Sequence, residues 1–562
     1  MRKITLFIAI ALLPLFACSP PIDPADFVIL GGTVITMNSA QPYAEGLAAR
    51  GQRILAVGSE DEIRAFVGPE TEVLNLDGAV AYPGFIDAHA HFLAVGKATM
   101  ELNLREAESW ADIVDLVAEA VDTVEPGTWI RGRGWHQEKW LATPEPSLGG
   151  LPVHNALSAV SQATPVFLTH ASGHAAMVNA KAMELAWIDR YTPDPPGGEI
   201  VRDAEGSAIG VLRERAEELV TNVMPNEDSE KFFRRRVEYA TRECLSKGIT
   251  SFQDAASTLI EARRLRAMAE AGKLELRLWL MLSEPNEIIG PELDRVRVVG
   301  AGDGFLTIRG IKRFIDGALG SHGAWLLEPY ADLPTTTGLN TENLEAMKES
   351  ARLADAHGFQ FCVHAIGDRA NRETLNVFEA TFADRSKLRE MRWRIEHAQH
   401  LHIDDIPRFG ELGVIASIQP VHCTSDGPWV PQRLGEDRSR EGAYVWRSLL
   451  DSGAHLAAGT DAPVEDIDPL ATFRAAVTRL KDDGLAFYPG QCLTREEALR
   501  AMTLDAAWAA FEEDEKGSLE VGKFADVTIL SGNLLEVPLE SLAKVRVIST
   551  VVGGQVRFTA QD

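Results

Sequence analysis

Two kinds of pattern alternate along the middle of the chain. Short apolar runs bounded by Gly, Asp or Pro recur at GFIDAHAH (84–91), GITSFQDA (248–255), LRLWLML (276–282), IRGIKRFIDG (308–317), FQFCVHAIGD (359–368), RWRIEHAQH (392–400), GVIASIQP (413–420) and AHLAAGTDAP (454–463). Between them lie charged stretches whose apolar residues return every three or four positions, such as SEKFFRRRVEYATRECLSKG (229–248) and NLEAMKESARLADAHG (343–358). The first pattern predicts buried strands and the second amphipathic helices that stop at their terminal glycines. Strands alternating with helices predict an α/β fold with parallel strands, and eight of them suggest a closed (β/α)8 TIM-like barrel.

Both chain ends read differently. FVILGGTVITM (27–37), RILAVG (53–58) and TEVLNL (71–76) are β-rich, as are FADVTIL (524–530) and VRVISTVVGGQVRF (545–558), so the two ends together could form one small β-sandwich. A barrel takes about 250 residues, and the surplus falls chiefly between the first and second strands, where an inserted lobe is predicted over the barrel mouth. The division expected is an N-terminal half of the sandwich at 26–82, the first barrel strand at 83–96, the lobe at 97–235, the remaining barrel at 236–510 and the C-terminal half of the sandwich at 511–562.

In such barrels the C-terminal strand ends carry the chemistry. Polar residues gather there: His89 and His91 at the first, Lys312 and Asp316 on one face of the fourth, and His364, His397 and Asp461 near the ends of the fifth, sixth and eighth. Regular alternation along GFIDAHAH puts Phe85, Asp87, His89 and His91 on one side, so the two imidazoles converge. Imidazole and carboxylate are the ligands of zinc and related cations. The same alternation leaves Arg313 and Glu396 on faces that should be apolar, with no evident reason.

PGFIDAHAHF, IKRFIDGALGSHGAWLLEPY, FCVHAIGDRA, RIEHAQH, AAGTDAPV and GSLEVGKFADVTIL, in this order, resemble the amidohydrolase superfamily, in particular its family 3 branch of N-substituted formamide deformylase-like metal-dependent hydrolases. The resemblance implies a two-metal site in which His89, His91 and Asp461 hold one divalent ion and His364 and His397 a second. It also implies that Lys312 is carboxylated and bridges the pair, because a protonated lysine cannot ligate a cation. Zinc is the expected metal. The implied reaction is hydrolysis of a non-peptide C–N bond, amide, N-acyl or N-formyl, in a small molecule, with Asp461 as the catalytic base and acid. If Lys312 instead pairs with Asp316 or another acid, a single-metal site of His89, His91, His364 and Asp461 is left, as in a deaminase or cyclic-amide hydrolase. A third reading is a lipoprotein that captures a small ligand without turnover.

Around this centre, His174 in ASGHAAMVN resembles a family element that faces substrate, Trp135 could form an aromatic wall, and His322 lies on a loop near the mouth. His170, His400, His402, His422 and His455 match no role.

Charge and the N-terminus narrow the setting. With 82 acidic against 55 basic residues the formal net charge is -27, which argues against a phosphate-binding surface and with it a nucleic-acid partner. Arg2 and Lys3 precede an apolar segment that ends at Ala17 and is interrupted by Pro14, shorter than the roughly 20 residues of a membrane span, so residues 1–17 read as a signal peptide. Leu15 to Cys18 resembles a lipobox, which implies lipidation of Cys18, a linker over 18–25, and a protein facing the periplasm on a lipid anchor. Ser19 resembles the outer-membrane sorting pattern. The other four cysteines have no zinc-site or disulfide-framework spacing. The family resemblance is compatible with a homodimer.

Overall fold

A computed structural model describes residues 23–561 except 138–139, 171–174, 196–197, 226–228, 321 and 383. Cys18, the signal segment and His174 therefore lie outside the described residues.

Eight parallel strands form the centre: β1 (Phe85–Ala90), β2 (Ile249–Ser257), β3 (Arg277–Leu282), β4 (Leu306–Phe314), β5 (Gln360–Ala365), β6 (Arg394–His397), β7 (Ile415–Ile418) and β8 (His455–Ala458). Each pairs with the next in chain order, from β1–β2 to β7–β8. Closure is made by the residues just past β8, where Asp461 N–H donates to His89 O at 2.7 Å and His91 N–H donates to Ala462 O at 2.8 Å. Gly459 permits that approach, since a Cβ there would come within 2.4 Å of His89 N and 2.7 Å of Asp87 Oδ1.

The helices form where the apolar spacing predicts. Glu230–Ser246 starts at Ser229, which accepts from Phe232 N–H, and turns Phe233, Val237, Ala240, Thr241, Cys244 and Leu245 inward. Leu344–His357 starts at Asn343 and stops at Gly358, whose φ of 68° suits a residue without Cβ. A short helix, Leu504–Ala509, plugs the lower barrel: Ala506, Ala507 and Ala509 pack on Ile86, Ala88, Ile415 and Ala457.

Both chain ends build the sandwich. Val80–Pro83 pairs parallel with Thr33–Ile35 on one side and antiparallel with Val527–Leu530 on the other, and the latter pairs with Val547–Val552. Phe27, Ile29, Val34, Leu47, Ala525, Val527, Ile529 and Val551 share its core. The lobe after β1 is a six-stranded sheet from Leu102–Asn103 to Ala208–Glu214 with helix Trp110–Asp122 against it. Among the described residues no helix is long and apolar enough to cross a membrane.

Candidate metal centre

The first strand does not alternate regularly. Asp87 pairs with Phe252 but Ala90 with Asp254, so three residues of β1 span two of β2, a bulge that re-aims its end. Asp87 consequently serves closure: its carboxylate accepts from Thr460 N–H at 3.1 Å and Thr460 Oγ1 at 2.6 Å, and from His89 N–H at 3.2 Å. Burial raises its pKa to about 6 against those hydrogen bonds.

His89, by contrast, reaches the cluster. Its Nε2 lies 3.5 Å and that of His91 3.1 Å from Asp461 Oδ1, and one ligand atom from each of the three residues can lie within 4.8 Å of the others. His397, His422 and Asp461 form a second such group. His364 joins through ring contact, 4.4 Å between its centroid and that of His397, and its Nε2 lies 3.5 Å from Asp316 Oδ1. Lys312 stands in the middle at 0% exposure, and among the described residues Nζ has no hydrogen-bond partner. The structure thus brings together all six residues expected as metal ligands.

The backbone that presents them is unusual. His397 and Asp461 have φ of 75° and 59°, in the left-handed region that non-glycine residues seldom occupy. At β6 this turn lets two successive residues face the centre. Glu396 points into the barrel by strand alternation, and His397 is swung there by the reversal of its backbone. The charged Glu396 therefore has a reason. His89 Nδ1 bonds its carboxylate, which leaves His89 Nε2 for the cluster, and Arg394 Nε lies 2.6 Å from Glu396 Oε1. Arg394 also donates to Gln253 Oε1 at 2.6 Å, Ala88 O at 2.6 Å and Ser417 Oγ at 2.8 Å. His397 is oriented likewise, its Nδ1 lying 2.7 Å from Gln419 Oε1.

Arg313 has the opposite placement. It faces the outer helices, donating to Ser350 Oγ at 2.8 Å, Asn286 Oδ1 at 2.6 Å and its neighbour's carbonyl, Lys312 O, at 2.7 Å. Asp316 sits just beyond β4 and receives Ile366 N–H at 3.0 Å, Gly367 N–H at 2.8 Å and Trp325 N–H at 2.9 Å; burial raises its pKa to about 7. It shapes the loops after β4 and β5.

The charges here are set by enclosure. Burial lowers the Lys312 pKa, against the pull of Glu396 and Asp461, which favours the free amine. Burial alone would raise Asp461, but hydrogen bonds from His89 and His91 hold its carboxyl well below the usual range. Glu396 is treated the same way by Arg394 and His89. Burial and Lys312 oppose charging of His89, yet Glu396 and Asp461 outweigh them and keep its pKa raised. Burial first, and His364 next, hold His397 well below the ordinary imidazole value.

Two expected residues lie elsewhere or acquire other partners, and one unexpected residue joins the cluster. Trp135 is 0% exposed in the lobe core, stacked 6.1 Å from Trp140, with its indole N–H donated to Leu168 O at 2.8 Å, so this side chain forms no pocket wall. Packing explains it: a tryptophan among Trp110, Ile113 and Val166 buries more apolar surface than one facing solvent. His322 lies on the loop after β4, 3.2 Å from Asp332 Oδ1 and edge-on to Tyr330. His422, given no role from sequence, stands 3.8 Å from Asp461 Oδ2 on the helix Pro420–Asp426 that follows β7. Its position just past a barrel strand, in QPVH, was the available signal.

The residues fit a divalent cation. Lys312 Nζ, His364 Nε2 and His422 Nε2 are buried, convergent and, among the described residues, without hydrogen-bond partners, a costly arrangement for a protein interior unless a ligand completes it. Beside Asp461, a cavity of about 390 Å³ runs between the lobe and the loop after β8, lined by Val95, Arg105, Arg133, Ala462, Pro463 and Asp466 among others.

Comparison with known proteins gives consistent relatives. The model of the Amidohydrolase family matches residues 72–558. Protein LONG AFTER FAR-RED 3 of Arabidopsis thaliana is 33% identical, the alignment covering 98% of this chain and 96% of that protein. The N-substituted formamide deformylase of Arthrobacter pascens is 27% identical over 95% of this chain and 98% of its own. Among solved structures, an uncharacterized metal-dependent hydrolase from Pyrococcus furiosus superposes with a TM-score of 0.71 at 29% identity, covering 91% of this chain and all of that one (100%).

Proposed function

The chain belongs to the amidohydrolase family and is a metal-dependent hydrolase of C–N bonds, and from that premise we propose that it cleaves small N-acyl or N-formyl amines at a two-metal centre. The observation that carries this reading is the convergence of His89, His91 and Asp461 beside a second group around His397. In it, His89, His91 and Asp461 would hold one ion and His364 and His397 the other, with carboxylated Lys312 as a ligand common to both and His422 close enough to contribute. Zinc suits this donor set. The buried Lys312 Nζ, without a hydrogen-bond partner among the described residues, supports the modification, since a neutral amine adds to carbon dioxide, releases a proton and becomes an anionic carbamate.

Divalent ions held there supply Lewis acidity to a scissile carbonyl and lower the pKa of water toward neutrality. The chain's own contribution is positional and protolytic. Glu396 and Gln419 fix the faces that His89 and His397 present. Asp461, kept ionised, accepts the proton of the attacking water and returns it to the departing nitrogen, so that the amine leaves neutral. Enclosure of the cluster keeps bulk water from competing for that proton.

The substrate class is inferred from the formamide deformylase relative and the C–N chemistry of the family. Metal analysis of the purified mature protein, with a screen of N-acyl and N-formyl amines run beside Asp461→Asn, tests it; turnover that survives the substitution, or protein free of metal that remains active, refutes it.

Export as a periplasm-facing lipoprotein, at the outer membrane, belongs to the same proposal and is supported by the pattern from Arg2 to Ser19. Mass spectrometry of the mature N-terminus tests it. A diacylglyceryl-modified Cys18 is expected, and an unmodified Met1 rejects it.

A further inference from the structure

We propose that Phe314 determines the specificity of this centre, acting as an aromatic shelf that selects substrates with an apolar, ring-bearing substituent on the scissile amide. This rests on the hydrolase reading above and narrows its substrate class.

Alternation along β4 sets Gly310, Lys312 and Phe314 on one face. That face is the barrel lumen: a Cβ on Gly310 would lie 2.8 Å from the Trp279 ring, and Lys312, next up, is enclosed by the cluster. Phe314 is the following residue on the same face and so reaches the mouth. Its ring centroid lies 5.0 Å from Lys312 Nζ and 5.5 Å from the ring of His364, the residue that pairs with Phe314 in the register of β4 and β5.

An aromatic ring at that position is out of keeping with its surroundings. The side chains gathered at the cluster are polar or charged, yet Phe314 is 38% exposed, and among the described residues no other phenylalanine is exposed. Exposed apolar surface within a concave polar site is covered when a ligand brings apolar surface of its own. A planar substituent can lie offset on, or edge-on to, the Phe314 ring while its amide stays over the polar groups 5.0 to 5.5 Å away. A small or anionic substituent gains nothing there.

Zinc-reconstituted wild type, Phe314→Ala and Phe314→Leu are compared by steady-state kinetics on N-benzylformamide and N-methylformamide. The ratio of kcat/KM for the benzyl over the methyl substrate should fall by about 10-fold or more in Phe314→Ala and partly recover in Phe314→Leu. Calorimetric binding of benzohydroxamate and acetohydroxamate gives a second readout that needs no turnover. Wild type should favour the aromatic hydroxamate by about 10-fold, and Phe314→Ala should erase that preference. A ratio unchanged by the substitution, or no preference in wild type for the aromatic hydroxamate, overturns the proposal. If neither formamide is cleaved, the N-formyl reading falls and the hydroxamate pair alone decides the shelf.

Discussion

His89 turns its Nδ1 onto the carboxylate of Glu396, and Arg394 grips that carboxylate from the other side. A contact between strands far apart in the chain is thereby converted into one fixed imidazole orientation. Glu396→Gln should weaken metal affinity by about 10- to 100-fold, read by competitive chelator titration. It also leaves Arg394 buried without its counter-ion, which costs about 3–5 kcal/mol and should appear as a lower midpoint of chemical denaturation. Wild-type metal affinity in Glu396→Gln would mean that His89 needs no such orientation.

Asp461 is the residue on which proton transfer turns. Asp461→Asn removes the proton acceptor with little change of shape, and kcat should fall by about 10²- to 10⁴-fold. Stopped-flow or steady-state rates on any accepted amide measure it. A change confined to KM would point to a binding role alone.

Lys312 distinguishes one metal from two. In Lys312→Ala the zinc content should drop from two ions per chain to one, measured by elemental analysis, with activity partly restored by millimolar acetate or propionate as stand-in carboxylates. Two ions retained in the variant would remove the lysine from the centre.

Trp135 tests the lobe independently of chemistry. Trp135→Ala empties a fully buried site and should cost about 3–5 kcal/mol, whereas Trp135→Phe gives up chiefly the hydrogen bond to Leu168 O, about 1 kcal/mol. Denaturant titrations of the two variants provide the comparison. Equal, small effects would show that the lobe core does not depend on that indole.

Much of this was legible in the order of residues. The eight strands and the helices ending at Gly248 and Gly358 follow from apolar spacing alone, and all six residues expected as ligands could be placed because each lies near or just past the end of a strand. For Lys312, the burial of Nζ without a hydrogen-bond partner among the described residues needed three dimensions to be seen. Glu396 was misplaced by the same alternation rule that served elsewhere: with His397 assigned to the lumen, its neighbour had to face outward. A left-handed turn at His397 breaks the period, and no composition signal announces a positive φ at histidine. The bulge in β1 separated Asp87 from His89 in like manner. His422 escaped notice because it stands on a helix after β7, where strand periodicity gives no direction.

The joining, in one sheet, of segments from either side of the barrel has a bearing on how the molecule is made. Val80–Pro83 emerges from the ribosome before the barrel, yet its neighbour Val527–Leu530 follows only after all eight barrel strands. Until then one hydrogen-bonding edge of that strand stands open, the situation that invites pairing with other chains. Assembly therefore has a late, long-range step, slow by its topology, and chains cut short before residue 527 should collect as aggregates even though their barrel is complete.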